Sequence, residues 1–218
     1  MIVSPHDFAN RDALASGLAD RVARGLSRAI SRQGNAVLAV SGGTTPRLFF
    51  EHLSHEAITW EKVTITLVDE RQVDEDSDRS NARLLRQNLL QNNAGAARFV
   101  PLFRNELAAS ALEPDVVVLG MGEDGHTASF FPGGNNLDEA LNPKTTTALI
   151  TMAAPGAGEP RLTFTLAHLL KTKVLCLHIE GMSKQAVLEK AMAGTDVHEM
   201  PIRAVLQADR PLDIFWCP

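Results

Sequence analysis

Residues 114–126 read PDVVVLGMGEDGH, an apolar, β-branched run from Asp115 to Leu119 that breaks into Gly120, Gly122 and Gly125 before His126. A short run that is apolar at every position, rather than at alternate ones, is the signature of a strand covered on both faces, as in a parallel sheet. Its glycine-rich sequel then lies at the carboxyl end of the strand. In open α/β sheets that is where ligands bind.

The same grammar repeats on either side. Upstream, AVLAV (36–40) is a strand that stops at SGG and leads into a helix with Pro46 near its first turn. KVTITLVDER supplies another buried strand, Val63 to Val68, running into polar residues. Between Asn10 and Arg32, Leu14, Leu18, Val22, Leu26 and Ile30 recur every four residues, which predicts an amphipathic helix ending near Gly34. Ser80 caps a helix over SNARLLRQNLL, whose Leu84, Leu85 and Leu89 share a face, and Asp74 to Asp78 form a loop before it. Downstream, loops PGGNNLDEALNP and AAPGAGEP flank TTTALITM, read as a strand. KVLCLHIEG is a fifth strand that turns at Gly181 into a helix, MSKQAVLEKAM, and PLDIFWC is the last strand. Strands alternating with helices at crossover spacing predict an α/β fold: one domain over residues 1–218, a mostly parallel doubly wound sheet with helices on both faces.

Composition narrows the function. The 218 residues are 44% hydrophobic and 22% charged, which suits a globular chain with a full core. Net charge is −5, with 26 acids against 21 bases and no basic block, so no nucleic acid or anionic lipid partner is expected. An anionic ligand must be held by local groups. Aromatics are 5% with no tyrosine, which leaves little for base stacking and favours a small-molecule site. Cys176 and Cys217 are read as inert thiols in a reducing cytoplasm. No segment has the length of apolar sequence a membrane span needs, and MIVSPHDFANRD lacks a signal peptide's pattern.

Three strand ends, SGGTTP (41–46), DER (69–71) and GMGEDGH (120–126), share one sheet edge if their strands are parallel. The first suits an anion: the glycines let successive amides turn inward, and Ser41, Thr44 and Thr45 add hydroxyls before a helix start. An ordinary capped turn explains an isolated SGG equally well. It is no Walker loop, because no GK[ST] follows. Gly120, Gly122 and Gly125 satisfy GxGxxG, but Pro132, Gly133 and Gly134 break the helix a dinucleotide site requires, and no acid ends the next strand. His126 is a candidate general base at that crevice, with Asp124 either orienting its ring or shaping the turn. His52 and His55 lack a third metal ligand and read as a solvated helix face, so no metal site is expected. There is no GxSxG elbow. Arg161 and Lys184 are cations near strand or helix ends.

Taken together, AVSGGTTP, VDERQVDEDSDRSN, VVLGMGEDGHTASFFPG, EPRLTFTL and EGMSKQAVL resemble the 6-phosphogluconolactonase family, within the wider group that includes glucosamine-6-phosphate deaminase. The resemblance implies hydrolysis of 6-phospho-D-glucono-1,5-lactone, in the oxidative pentose phosphate pathway, with no metal or organic cofactor. Ser41, Gly42, Gly43, Thr44 and Thr45 fall in the family's phosphate-side loop, and Asp69 and Arg71 in its DER motif. Arg161 and Lys184 would be cations for the phosphate or the sugar acid, and His126 matches the proposed general base. Asp74 stands where the family often has proline, so the resemblance assigns no path to residues 72–79 and no role to Arg79.

The deaminases usually carry a glutamate five residues after the histidine, where this chain has Phe131, and a tyrosine where it has Arg71. A deaminase-like isomerase and a non-catalytic sugar-phosphate sensor are the competing expectations. A monomer or weak homo-oligomer is expected.

Overall fold

The computed structural model describes residues 2–218. The elements, in order, are β1 (Ile2–Asp7), α1 (Arg11–Gln33), β2 (Ala36–Val40), α2 (Arg47–Ser54), β3 (Val63–Leu67), β4 (Asp69–Arg71), α3 (Asn81–Asn88), β5 (Arg98–Phe99) and α4 (Glu106–Ser110). They continue as β6 (Val116–Leu119), α5 (Leu137–Leu141), β7 (Leu149–Met152), β8 (Arg161–Phe164), α6 (Leu166–Leu169), β9 (Val174–Glu180), α7 (Met182–Ala193), α8 (Ile202–Leu206) and β10 (Pro211–Cys217).

Seven strands form one sheet in the order β1-β10-β9-β6-β2-β3-β5, and every pairing in it is parallel. All four residues of β6, at its centre, are buried, as a strand covered on both faces requires. Strands β2, β3 and β6 all run the same way, so the three polar segments that follow them do leave one edge of the sheet.

The long helix forms as its periodicity predicts. Asn10 caps α1 by accepting from the Ala13 amide, and Gly34 ends it in the left-handed region. Its apolar stripe is fully buried at Leu14, Leu18, Val22 and Leu26. Each such side chain contributes roughly 1.5–3 kcal/mol of burial. No helix of the described residues is long and apolar enough to cross a membrane.

Three readings of the sequence are corrected, and two strands it did not show, β1 and β8, are added. TTTALITM does hold a strand, β7, but it belongs to a separate three-stranded antiparallel sheet, β4-β8-β7. The polar DER is β4 of that sheet rather than a loop, because a strand paired only over three residues needs no hydrophobic pattern of its own. Its partner β8 was hidden in RLTFTL, and the segment around Asp138 and Glu139 is a short helix, α5, rather than a loop. Finally, β1 at the sheet edge carries no alternation, with Ile2 and Ser4 exposed, and Pro5 is tolerated there because one side of the strand has no ladder to complete.

Candidate active site

The loops SGGTTP and GMGEDGH and the small sheet enclose a cleft of about 360 Å³ at the carboxyl ends of β2, β6 and β9. Ser41–Thr45, Asp69, Arg71, His126, Arg161 and Lys184 all line it. Asp124 is the one predicted site residue outside the lining, and it sits directly behind His126.

The His126 Nδ1 lies 2.5 Å from the Asp124 Oδ1, which also accepts the His126 backbone amide at 3.1 Å. Asp124 therefore both orients the ring and shapes the turn. The hydrogen bond from His126 holds its carboxyl down at about 2, against a partial burial that pushes the other way. Gly122 makes room for the ring: a Cβ there would fall 2.1 Å from Nδ1. After His126 the chain turns through Ala128, at φ 50°, a left-handed conformation rare for a residue with a Cβ. That turn brings Phe131 back under the imidazole, ring centroids 4.4 Å apart. The Arg161 guanidinium also packs on Phe131, 5.3 Å from its ring centroid.

Arg161 and Arg71 are cross-strand partners in the β4–β8 ladder. Arg161 is buried, its Nη2 donates to the Ala157 carbonyl at 2.9 Å, and its Nη1 lies 3.7 Å from the Asp69 Oδ2. Burial pushes its pKa down, with the Asp69 charge opposing. Arg71 Nη1 donates to the Arg79 carbonyl at 2.6 Å. The Asp69 Oδ2 accepts from the Ser129 hydroxyl at 2.5 Å, which ties the small sheet to the histidine loop.

At the other end, the Lys184 Nζ is paired with the Glu123 Oε1 at 3.1 Å. Ser41 Oγ accepts the Gly120 amide at 3.1 Å, and its proton remains free to donate. Gly42 packs against Asn81 so closely that a Cβ would overlap its side-chain oxygen at 2.0 Å, and the Asn81 Nδ2 donates to the Asp69 carbonyl at 3.0 Å. His52 bonds Asp12 and His55 bonds Asn92, so those two rings have separate partners.

Several contributors escaped the sequence reading. Glu70, the middle of DER, accepts from the amides of Arg71, Asn81 and Ala82 and so fastens β4 to the start of α3; burial raises its pKa despite these bonds. Two other cleft residues, His178 and Glu180, pair at 3.1 Å, and Glu180 continues to Arg11 at 3.1 Å. Their position inside an apolar strand disguised them. Phe131, noted in the sequence only as standing where deaminases carry glutamate, is a buried core residue that also packs against the histidine and an arginine.

Neutral donors, three cations and an imidazole aimed by a carboxylate converge at the strand ends of an α/β sheet, the equipment of an enzyme for a small phosphorylated sugar. The chain belongs to the glucosamine-6-phosphate isomerase/6-phosphogluconolactonase family, which it matches over residues 9–216. It is 53% identical to a 6-phosphogluconolactonase of Rhizobium meliloti (strain 1021), with all of both chains covered. It is 52% identical to that of Mesorhizobium japonicum, covering 97% of this chain and 94% of the relative. Among solved structures, a 6-phosphogluconolactonase from Shewanella baltica OS155 superimposes with a TM-score of 0.94 at 40% identity, covering 100% of this chain and 98% of the other.

Proposed function

We propose that this chain hydrolyses 6-phospho-D-glucono-1,5-lactone to 6-phosphogluconate, with His126 as the base that activates water. The relatives' shared name and the cleft's cations support the substrate. The 2.5 Å contact between His126 Nδ1 and Asp124 carries the mechanism. Asp124, ionised near neutral pH, can only accept, so Nδ1 holds the proton and Nε2 keeps its lone pair. Nε2 takes a proton as a water oxygen bonds to C1, and the carbonyl becomes an alkoxide. The alkoxide then collapses, the bond from C1 to the ring oxygen breaks, and the imidazolium returns its proton to that oxygen. General base catalysis of this kind contributes about 100- to 10,000-fold.

Arg71 binds the C1 oxygen of the lactone and of the oxyanion formed from it alike, so its loss is read in KM, and Asp69 holds the histidine loop through Ser129. Ser41–Thr45, Arg161 and Lys184 hold the phosphate and sugar acid, remote binding that fixes C1 against the base. Ring opening with amine loss is disfavoured, because the position where deaminases usually carry glutamate holds Phe131, packed under His126. We infer that the enzyme works in the cytoplasm as a single-domain monomer or weak homo-oligomer.

A coupled assay on freshly generated lactone, read against spontaneous hydrolysis, tests the reading. Turnover should exceed background and fall about 100- to 10,000-fold in His126→Ala with KM little changed. A variant that turns over like wild type would remove His126 from the mechanism.

A further inference from the structure

Two loops frame the arginine pair. One, residues 72–80, leaves β4 just after Arg71; the other, residues 153–160, enters β8 just before Arg161. Each loop supplies one carbonyl to one guanidinium: Arg79 O accepts from Arg71 Nη1 at 2.6 Å, and Ala157 O accepts from Arg161 Nη2 at 2.9 Å. The loops are joined at their bases by the Gln72 amide, which donates to the Pro160 carbonyl at 2.8 Å. They are joined again by side chains, Arg79 Nη1 to Glu159 Oε1 at 2.5 Å. Gly158, at φ 73°, leaves room for this guanidinium beside the second loop, since a Cβ there would stand 3.2 Å from the Arg79 Nη2.

Polar satisfaction singles out the same place. Among the described residues, the buried side-chain polar atoms without a hydrogen-bond partner are Arg71 Nε, Arg161 Nε and Glu159 Oε2. Folded proteins pair nearly all such atoms, so three on neighbouring residues mark a region built for something other than its own stability.

We infer that the Arg79–Glu159 ion pair is a clasp that positions Arg71 and Arg161 for the anionic substrate. This rests on the reading above that those two arginines contact substrate. Arg79 and Glu159 act through them. Opening the clasp frees Arg79 O and Ala157 O to move, and the two guanidiniums lose their aim while the strands that carry them stay paired.

The test is steady-state kinetics on the lactone for Arg79→Ala, Glu159→Ala, the double alanine variant and the charge swap Arg79→Glu with Glu159→Arg, with Arg71→Ala as reference and melting temperatures for all. Each single variant should raise KM about 2- to 10-fold with kcat nearly unchanged, as expected when one ion pair that orients two binding groups is lost. The double variant should be no worse than either single, and the swap should recover KM. Unchanged KM in the singles, with or without a fall in melting temperature, overturns the clasp while Arg71→Ala still raises KM. Singles that raise KM without recovery in the swap overturn it too. An unchanged KM in Arg71→Ala removes the substrate contact on which the clasp depends.

Discussion

The Nδ1 of His126 and the Oδ1 of Asp124 stand 2.5 Å apart, two residues away from each other in a glycine-bounded turn, so the proposed base and the group that aims its ring come from one loop. Asp124→Asn keeps the shape but can donate as well as accept, which admits the tautomer with its proton on Nε2. kcat should fall about 10- to 100-fold with KM held, a smaller loss than for removing the base itself. Equal kcat in the two enzymes would show that Asp124 only shapes the turn.

The same pair sets a pH dependence of stability. The folded carboxyl sits at about 2, below its usual 3.8. A depressed acid stabilises the fold above its unfolded value and loses that contribution as pH falls through the folded one. Denaturant titrations of wild type and Asp124→Asn should therefore differ by a constant amount above about pH 4 and converge towards pH 2. A gap that stays constant down to pH 2 would contradict the assignment.

Phe131 joins the two halves of the site, with the His126 ring on it and the Arg161 guanidinium over it. Phe131→Leu keeps most of the buried bulk and removes the aromatic face. A cation above such a face gains about 0.5–2 kcal/mol, so KM should rise about 2- to 30-fold. Measuring KM in the variant decides it: no change means that the ring is packing alone.

Most of the frame was legible because it rests on period and punctuation. The stripe of α1, the capping Ser80 and the runs AVLAV and DVVVL each carry their own signal, and parallel strands buried on both faces cannot hide. The small sheet was illegible for the opposite reason. β4 is held by long-range pairing to β8 and by Glu70, whose three amide bonds reach residues eleven and twelve positions away as well as its own neighbour. The site residues stood out where polar groups interrupted strand ends. Glu180 and His178 did not, because VLCLHIE reads as an apolar strand. Local sequence records what a residue is, and only the fold records that Arg71 faces Arg161.

Glu70 is accordingly a test of that long-range organisation. Glu70→Gln keeps one acceptor oxygen and turns an amide nitrogen towards backbone donors, leaving at least one buried N–H unpaired. Stability should fall by about 1–3 kcal/mol. In a chain of this size each kcal/mol lowers the melting temperature by about 2–4 °C. A calorimetric scan with no shift would mean that β4 and α3 hold together without it.

The last relationship has the opposite sign. Lys184, proposed to hold an anion, is paired at 3.1 Å with Glu123, which also accepts from the Ser183 hydroxyl at 3.3 Å. Glu123 is largely exposed, so the pair is screened and worth about 0–1 kcal/mol. If Lys184 holds the substrate's phosphate or carboxyl, Glu123 competes with that group for the ammonium. Lys184→Ala should then raise KM, whereas Glu123→Gln should lower it by up to about 5-fold, and both effects should shrink as ionic strength rises. Were Lys184 only a surface charge, neither substitution would move KM in any salt. A rise in KM for Glu123→Gln would instead make the glutamate the group that aims the lysine.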